Sequence, residues 1–288
     1  MKDSTPSTTI PADIALLEQV ICLCQRAGEA ILNVYNQSQG VEVDIKADDS
    51  PVTAADLAAH AILEPGLTAL LEEVPVLSEE SLLPPFNVRR QWRRYWIIDP
   101  LDGTKEFINR NGEFTVNVAL IENGCPVLGV VLVPVTGITY AGVKGVGAFK
   151  YENSHKRAIA VRTLLSRASG GLPVELVASR RHGAEEVERI IDNIAAELGP
   201  VTTKNMGSSL KLCLVAEGEA DLYPRLAPTS EWDTAAAQAV VEAAGGRVVD
   251  VDFRPLRYNT KDDILNPYFY VIGDSTYDWQ GLLRREGK

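Results

Sequence analysis

Cysteine and histidine are scarce in this 288-residue chain, with four of the first and three of the second. Cys22, Cys24, Cys125 and Cys213 form no C-x-x-C pair, and His60, His155 and His182 form no H-E-x-x-H. Zinc chemistry is therefore poorly supported. The thiols read as reduced, mostly buried groups of a cytosolic protein. Long apolar runs are missing too. The longest, Val127–Val135, contains Gly129 and Pro134 and falls far short of the roughly 20 residues that span a bilayer. It reads as a buried strand. Residues 1–11 are polar and lack the apolar core of a signal peptide. Basic clusters are limited to pairs such as Arg89-Arg90, Arg93-Arg94 and Arg180-Arg181, in a chain of net charge −11. Such a chain repels long nucleic acid. A small polyanion stays open as a partner, because metal ions reverse the local charge of a site. Repeats and low-complexity segments are absent as well.

What is present is enough apolar material, 45% of residues, for one large domain or two closely packed ones. Apolar residues at 14, 17, 20, 21, 24, 27, 31 and 34 predict a helix over Ile14–Tyr35, with Asp13 at its start. Val41–Ala47 reads as extended, and Thr53–Leu71 as a helix kinked or interrupted at Pro65-Gly66. Val74–Ser78 and Gln91–Asp99 read as strands, the second ended by Pro100. Glu113–Glu122 and Pro126–Pro134 predict a hairpin around Asn123-Gly124, and Gly137–Tyr151 continues that sheet. Tyr151–Gly171 is polar and irregular, and marks a boundary. Beyond it strands and helices alternate: Val174–Ser179, Glu185–Leu198, Val201–Lys204, Ser208–Glu217, Ala220–Tyr223 and Thr234–Ala244. The expectation is a first half of helices on a largely antiparallel sheet and a second, α/β half.

The sharpest chemical signal is Asp99-Pro100-Leu101-Asp102-Gly103-Thr104, directly after the apolar strand Tyr95-Trp96-Ile97-Ile98. Two carboxylates and the Leu101 carbonyl make the hard oxygen set that Mg²⁺ prefers. Gly103 lets backbone approach a ligand, and a helix starting there would add an anion site. The plain alternative is a strand-to-helix turn capped by Asp102. Glu79-Glu80 follows a short strand, and Trp232-Asp233 opens an alanine-rich helix. Asp56 sits three residues after Thr53, as in a capping box. Each of these has an ordinary structural reading when taken singly. Gly207-Ser208-Ser209 before a helix carrying Lys211 suits a phosphate, or is simple capping by Ser208.

In their order along the chain, Asp56, Leu77-Ser78-Glu79-Glu80, Asp99-Pro100-Leu101-Asp102-Gly103-Thr104 and Trp232-Asp233-Thr234-Ala235 resemble the lithium-sensitive, magnesium-dependent phosphatase superfamily. That superfamily includes inositol monophosphatase, fructose-1,6-bisphosphatase and the 3′(2′),5′-bisphosphate nucleotidases. The resemblance runs from about Leu16 to Tyr270. Ser50-Pro51-Val52-Thr53-Ala54-Ala55-Asp56, Arg110-Asn111-Gly112-Glu113-Phe114-Thr115-Val116-Asn117 and Gly207-Ser208-Ser209-Leu210-Lys211 are similar to the CysQ-type nucleotidase branch.

The resemblance implies an α/β fold of the inositol monophosphatase and fructose-1,6-bisphosphatase type, a five-layer αβαβα sandwich. Residues 1–157 would form an α+β part with the main metal motifs, and residues 158–288 an α/β part with substrate-binding residues and the last metal ligand. It implies two or three Mg²⁺ ions. Glu79 and Asp99 would hold the first, and Asp99, Asp102, Asp233 and the Leu101 carbonyl the second. Thr104 and Asp56 would orient and deprotonate the attacking water. Gly103, Thr104, Gly207, Ser208, Ser209, Lys211, Asp233, Arg225 and the loop residues Ser179 and His182 would meet the substrate.

Inositol phosphate enzymes of the superfamily carry a glutamate shortly before the Trp-Asp, whereas this chain reads Tyr223-Pro224-Arg225. A cation there favours a substrate with a second negative group. Arg181 departs from the small residue usual in the nucleotidase loop. The resemblance implies adenosine 3′,5′-bisphosphate as the leading substrate, cut at the 3′-phosphate to clear a by-product of sulfate activation, with the 3′-phosphorylated sulfate donor second. The rivals are an inositol or sugar phosphate, and a catalytically silent metal-dependent binder. A monomer or homodimer in the cytoplasm is expected, with peripheral contact to the inner face of a bacterial membrane left open.

Overall fold

Apolar residues at helical spacing make the first helix, and they are the same residues that disappear into the core: Leu17, Val20, Ala27 and Ile31 are fully buried. The computed structural model describes residues 12–37, 43–45, 51–164, 170–178 and 184–283. In chain order the elements are α1 (Ala12–Tyr35), β1 (Val43–Ile45), β2 (Pro51–Thr53), α2 (Ala54–Leu70), β3 (Val76–Ser78), α3 (Phe86–Arg89), β4 (Arg94–Asp102), α4 (Thr104–Ile108), β5 (Thr115–Glu122), β6 (Cys125–Leu132), β7 (Thr139–Val143), β8 (Gly147–Glu152) and β9 (His155–Ile159). They continue with β10 (Val174–Ala178), α5 (Ala184–Leu198), β11 (Val201–Asn205), α6 (Leu210–Ala216), β12 (Leu222–Arg225), a 3₁₀ turn (Glu231–Asp233), α7 (Ala235–Ala243), β13 (Arg247–Asp250), β14 (Phe269–Ile272) and α8 (Gln280–Leu283).

Seven strands, β3 to β9, lie side by side in sequence order. β3 and β4 are parallel and the other neighbours antiparallel. The second sheet has the order β11-β10-β12-β14-β13. Alternation along β4 explains the layering. Trp96 and Ile98 point to one face, where α1 and α2 cover them. Tyr95 and Ile97 point to the other, where they meet α6, α7 and residues Tyr223, Phe269 and Val271 of the second sheet. The far face of that sheet, with Leu176, Leu222 and Tyr270, is closed by Ile190 and Ile194 of α5 and Leu282 of α8. Helices, sheet, helices, sheet, helices: these are the five layers. A sheet covered on both faces needs apolar residues on both, which is why Tyr95–Ile98 reads as an unbroken apolar run.

The central helix α7 comes very close to the first sheet. A Cβ on Gly129 would stand 2.1 Å from the Ala236 carbonyl oxygen, and one on Gly142 would stand 2.7 Å from Val240 Cα. Two glycines on adjacent strands therefore set how deeply α7 sits.

Four sequence expectations change. Pro65 does not break α2, which runs to Leu70. Pro65 and Ala61 are on the exposed side, so the carbonyl that loses its partner can face water. Pro100 does not end β4 either. The pairing shifts register between Asp99 and Asp102, and a bulge needs no ladder bond from the proline. Residues 151–159, expected to be irregular, belong to the paired strands β8 and β9, Tyr151 pairing with Lys156 and Glu152 with His155. The strand expected at Ala220–Tyr223 begins at Leu222 and carries Arg225. Among the described residues no helix is long and apolar enough to cross a membrane.

Candidate active site

Parallel neighbours end on the same side of a sheet, and this brings the first two carboxylates together. Leu77 and Ser78 of β3 lie beside Ile97 and Ile98 of β4. The next residue of each strand is an acid, Glu79 and Asp99, and the Glu79 N–H donates to the Ile98 carbonyl at 3.2 Å. Asp233 arrives from the central layer, on the 3₁₀ turn before α7. One carboxylate oxygen from each of Glu79, Asp99 and Asp233 lies within 4.8 Å of the other two. Asp99 is buried, and its Oδ1 accepts from the Leu101 N–H at 3.0 Å. Asp233 Oδ2 accepts from the Ser230 N–H at 2.9 Å in a capping box. The ordinary capping role and a place in the cluster therefore coexist in one side chain.

Asp102 stands beside this trio rather than within it. The bulge after Asp99 turns it toward α6, where its Oδ2 accepts from the Ser209 N–H at 2.6 Å and, at longer range, from Asn117 Nδ2 at 3.4 Å and Thr115 Oγ1 at 3.5 Å. Ser209 Oγ closes the arrangement by bonding Asn117 Oδ1 at 2.8 Å and Thr115 Oγ1 at 2.9 Å. Thr115 and Asn117 had no role in the sequence reading. Their signal was there, as two polar residues at period 2 within the apolar run Phe114–Ile121. Gly103 has φ +96°, a conformation glycine accepts without strain, and the chain turns there into α4.

Two of the N–H groups expected to be open for a phosphate before α6 are taken by carboxylates. The Gly207 N–H donates to Glu113 Oε2 at 2.7 Å, and that of Ser209 goes to Asp102. Ser208 is not the cap. It sits at φ +43° with its hydroxyl buried and without a partner among the described residues, and Ser209 takes the cap position without a side-chain bond. Glu106 and Glu113 pack directly against Gly207, which brings Glu113 to its N–H.

Asp56 combines both of its readings. Oδ2 accepts from the Thr53 N–H at 2.8 Å and from Thr53 Oγ1 at 2.6 Å, completing the capping box of α2. Oδ1 faces Thr104 Oγ1 at 3.5 Å. A cleft of about 440 Å³ has Asp102, Gly103, Ser208, Lys211, Arg225 and Asp233 in its wall. Lys211 Nζ donates to the Met206 carbonyl at 3.2 Å. Among the described residues Arg225 makes no ion pair. It donates to the carbonyls of Ala227 at 3.2 Å and Pro228 at 2.9 Å, which holds its guanidinium at the cleft. Ser179 and His182 lie outside the described residues.

The electrostatics of this corner ask for a cation. Burial raises the carboxyl of Asp99 well above the usual range, and Glu79, Asp102, Asp233 and Asp56 push it further. Asp233 is raised for the same reasons, burial first and then Asp102 and Glu79. Asp102 is raised by burial, against the pull of Lys211 and the Ser209 N–H. Burial also lowers the Lys211 ammonium to about 8, with Asp102 opposing. Buried acids that repel one another become stable ligands once a divalent ion neutralises them. An all-oxygen donor set suits a hard ion such as Mg²⁺.

The chain is similar to known proteins over most of its length. The model of the inositol monophosphatase family matches residues 15–280. The chain is 49% identical over 256 residues to the 3′(2′),5′-bisphosphate nucleotidase CysQ of Escherichia coli (strain K12), which covers 89% of this chain and 99% of that protein. It is 39% identical over 268 residues to the CysQ of the same description from Aggregatibacter actinomycetemcomitans, covering 93% and 96%. The crystal structure of CysQ from Bacteroides thetaiotaomicron, described as a bacterial member of the inositol monophosphatase family, superposes with a TM-score of 0.74. Its sequence identity is 43%, over 91% of this chain and 98% of that one.

Proposed function

The chain belongs to the inositol monophosphatase family, and we propose that it is a Mg²⁺-dependent 3′(2′),5′-bisphosphate nucleotidase. It hydrolyses the 3′-phosphate of adenosine 3′,5′-bisphosphate to AMP and phosphate, and accepts the 3′-phosphorylated sulfate donor as a second substrate. The observation that carries this reading is the convergence of Glu79, Asp99 and Asp233 oxygens within 4.8 Å in a chain nearly half identical to a protein of that activity.

Glu79, Asp99 and Asp233 would hold the metal, with Asp102 and the Leu101 carbonyl beside them. When bound, Mg²⁺ supplies neutralisation of phosphate charge and a lowered pKa for a coordinated water. The protein residues do the remainder. Thr104 Oγ1 accepts from the attacking water and donates to Asp56 Oδ1, so the water proton moves toward Asp56. The Thr53 bonds to Oδ2 keep that carboxylate oriented. The water oxygen forms a bond to phosphorus, the bond from phosphorus to the 3′-oxygen breaks, and that oxygen takes a proton from solvent water to leave as the 3′-hydroxyl of AMP. Positioning and charge suffice for such a transfer, without a covalent nucleophile. Lys211 and Arg225 face the same cleft and favour a substrate with a second phosphate.

The test is phosphate release from adenosine 3′,5′-bisphosphate, inositol 1-phosphate and fructose 1,6-bisphosphate, each with Mg²⁺, with EDTA, and with Mg²⁺ plus Li⁺. Preference for the nucleotide, lost in EDTA, is the expected result. Preference for inositol 1-phosphate would overturn the substrate and leave the chemistry.

A further inference from the structure

Asp233 sits on a three-residue turn with its own capping box. A segment that comes more than thirty residues later anchors that turn from outside. Asn266 reaches the turn with one amide group. Its Nδ2 donates to the Ser230 carbonyl at 2.7 Å, and lies 3.0 Å from Thr234 Oγ1 and 3.2 Å from Thr229 Oγ1. Its backbone N–H donates to the Thr229 carbonyl at 2.8 Å. The Glu231 N–H donates to the Ile264 carbonyl at 3.0 Å, and Ser230 bridges Leu265. Ser230 in turn gives its N–H to Asp233 Oδ2. The positions on both sides of Asp233 are thus tied to a single side chain.

Asn266 is 8% exposed, and its Oδ1 has no partner among the described residues. All three acceptors around its Nδ2 lie on residues 229–234.

We propose that Asn266 is a positioning residue for Asp233 and sets the divalent-cation affinity of the cluster. This rests on the reading of Glu79, Asp99 and Asp233 as metal ligands, and extends it to a residue that touches neither metal nor substrate. Partners that orient a ligating carboxylate typically change metal affinity about 10- to 100-fold.

The experiment is a Mn²⁺ titration of the full chain, followed by the EPR signal of free Mn²⁺ without substrate, for wild type, Asn266→Ala, Asn266→Ser and Asn193→Ala. Asn193 is the matched control. Its Nδ2 donates to the Leu282 carbonyl at 3.1 Å, on the far side of the second sheet. Asn266→Ala should raise the Mn²⁺ dissociation constant about tenfold. It should raise the Mg²⁺ concentration for half-maximal turnover by a similar factor and leave kcat at saturating Mg²⁺ within about twofold. Asn266→Ser, which keeps one donor, should fall between. It decides the matter if the alanine variant does not fold. Unchanged Mn²⁺ affinity in both Asn266 variants, or a loss no larger than in Asn193→Ala, overturns the inference. A wild type that binds no Mn²⁺ overturns it together with the metal assignment. If wild type binds Mn²⁺ and Asn266→Ala does not, while no tested ester is cleaved, the inference stands and the substrate reading falls.

Discussion

Thr53 and Asp56 are bound to each other twice: the backbone N–H and the hydroxyl of Thr53 both donate to Asp56 Oδ2, at 2.8 and 2.6 Å. In the proposed mechanism this helix cap is also the mount for the general base, because fixing one oxygen aims the other at Thr104. Removing the mount and removing the base should therefore have different signatures. Thr53→Ala should lower stability by about 1 kcal/mol and reduce kcat through misorientation. Thr104→Val and Asp56→Asn should reduce kcat roughly 100- to 10,000-fold, with Thr104→Val leaving the urea midpoint close to wild type. Parallel measurement of kcat and urea unfolding separates these effects. Full activity in Asp56→Asn would remove its proposed role.

Burial and its acidic neighbours raise the Asp99 carboxyl in the folded protein. A folded pKa above the unfolded one binds protons more tightly in the folded state. Its stabilising contribution is complete below the unfolded value, about 3.9, and is lost as pH rises through the folded value. In EDTA, Asp99→Asn should therefore be more stable than wild type at pH 8, and the difference should shrink toward acid. With Mg²⁺ the order should reverse at pH 8, and turnover should be abolished. Thermal melts at several pH values with and without Mg²⁺ check both halves.

The depth of α7 depends on Gly129 and Gly142. Gly142→Ala would force Cβ against Val240 Cα and the Ala239 carbonyl oxygen, at 2.7 and 2.8 Å. Moving α7 costs about 1–3 kcal/mol, as other overpacked sites do. It also displaces Asp233, which lies just before that helix. The expected outcome is a lower urea midpoint together with a higher Mg²⁺ requirement. A stability loss with an unchanged Mg²⁺ requirement would show that the turn is held independently of the helix.

Arg225 ties the carbonyls of Ala227 and Pro228 while facing the cleft. Arg225→Glu should lower kcat/KM for adenosine 3′,5′-bisphosphate at least tenfold more than for a simple monoester. Equal losses on both substrates would mean that its backbone bonds, rather than its charge, matter.

Much of this architecture was legible beforehand. The Asn123-Gly124 hairpin, with both residues at positive φ, was readable because two-residue turns demand those residues. The helix over Ile14–Tyr35 was readable from its 3.6-residue period. The strand through Pro100 was misjudged because a proline's effect depends on whether its position needs a ladder bond, which only the register decides. The same holds for Pro65, tolerated on an exposed helix face.

At the site, the sequence alone supplied the acids: which carboxylates exist, that Asp99 and Asp102 follow a buried strand, and that the donors are hard oxygens. These follow from local chemistry and from the resemblance carried by the motifs. Tertiary structure alone decided who meets whom. Parallel pairing of β3 with β4 sets Glu79 beside Asp99, and the glycine-floored seat of α7 brings Asp233 to them from 134 residues beyond Asp99. Tertiary contact also gave the N–H groups of Gly207 and Ser209 to Glu113 and Asp102, and Asn266 to the Asp233 turn. None of these pairings has a local period or spacing. Each is fixed by which surfaces can be buried together, and that is a property of the packed layers rather than of any segment read by itself.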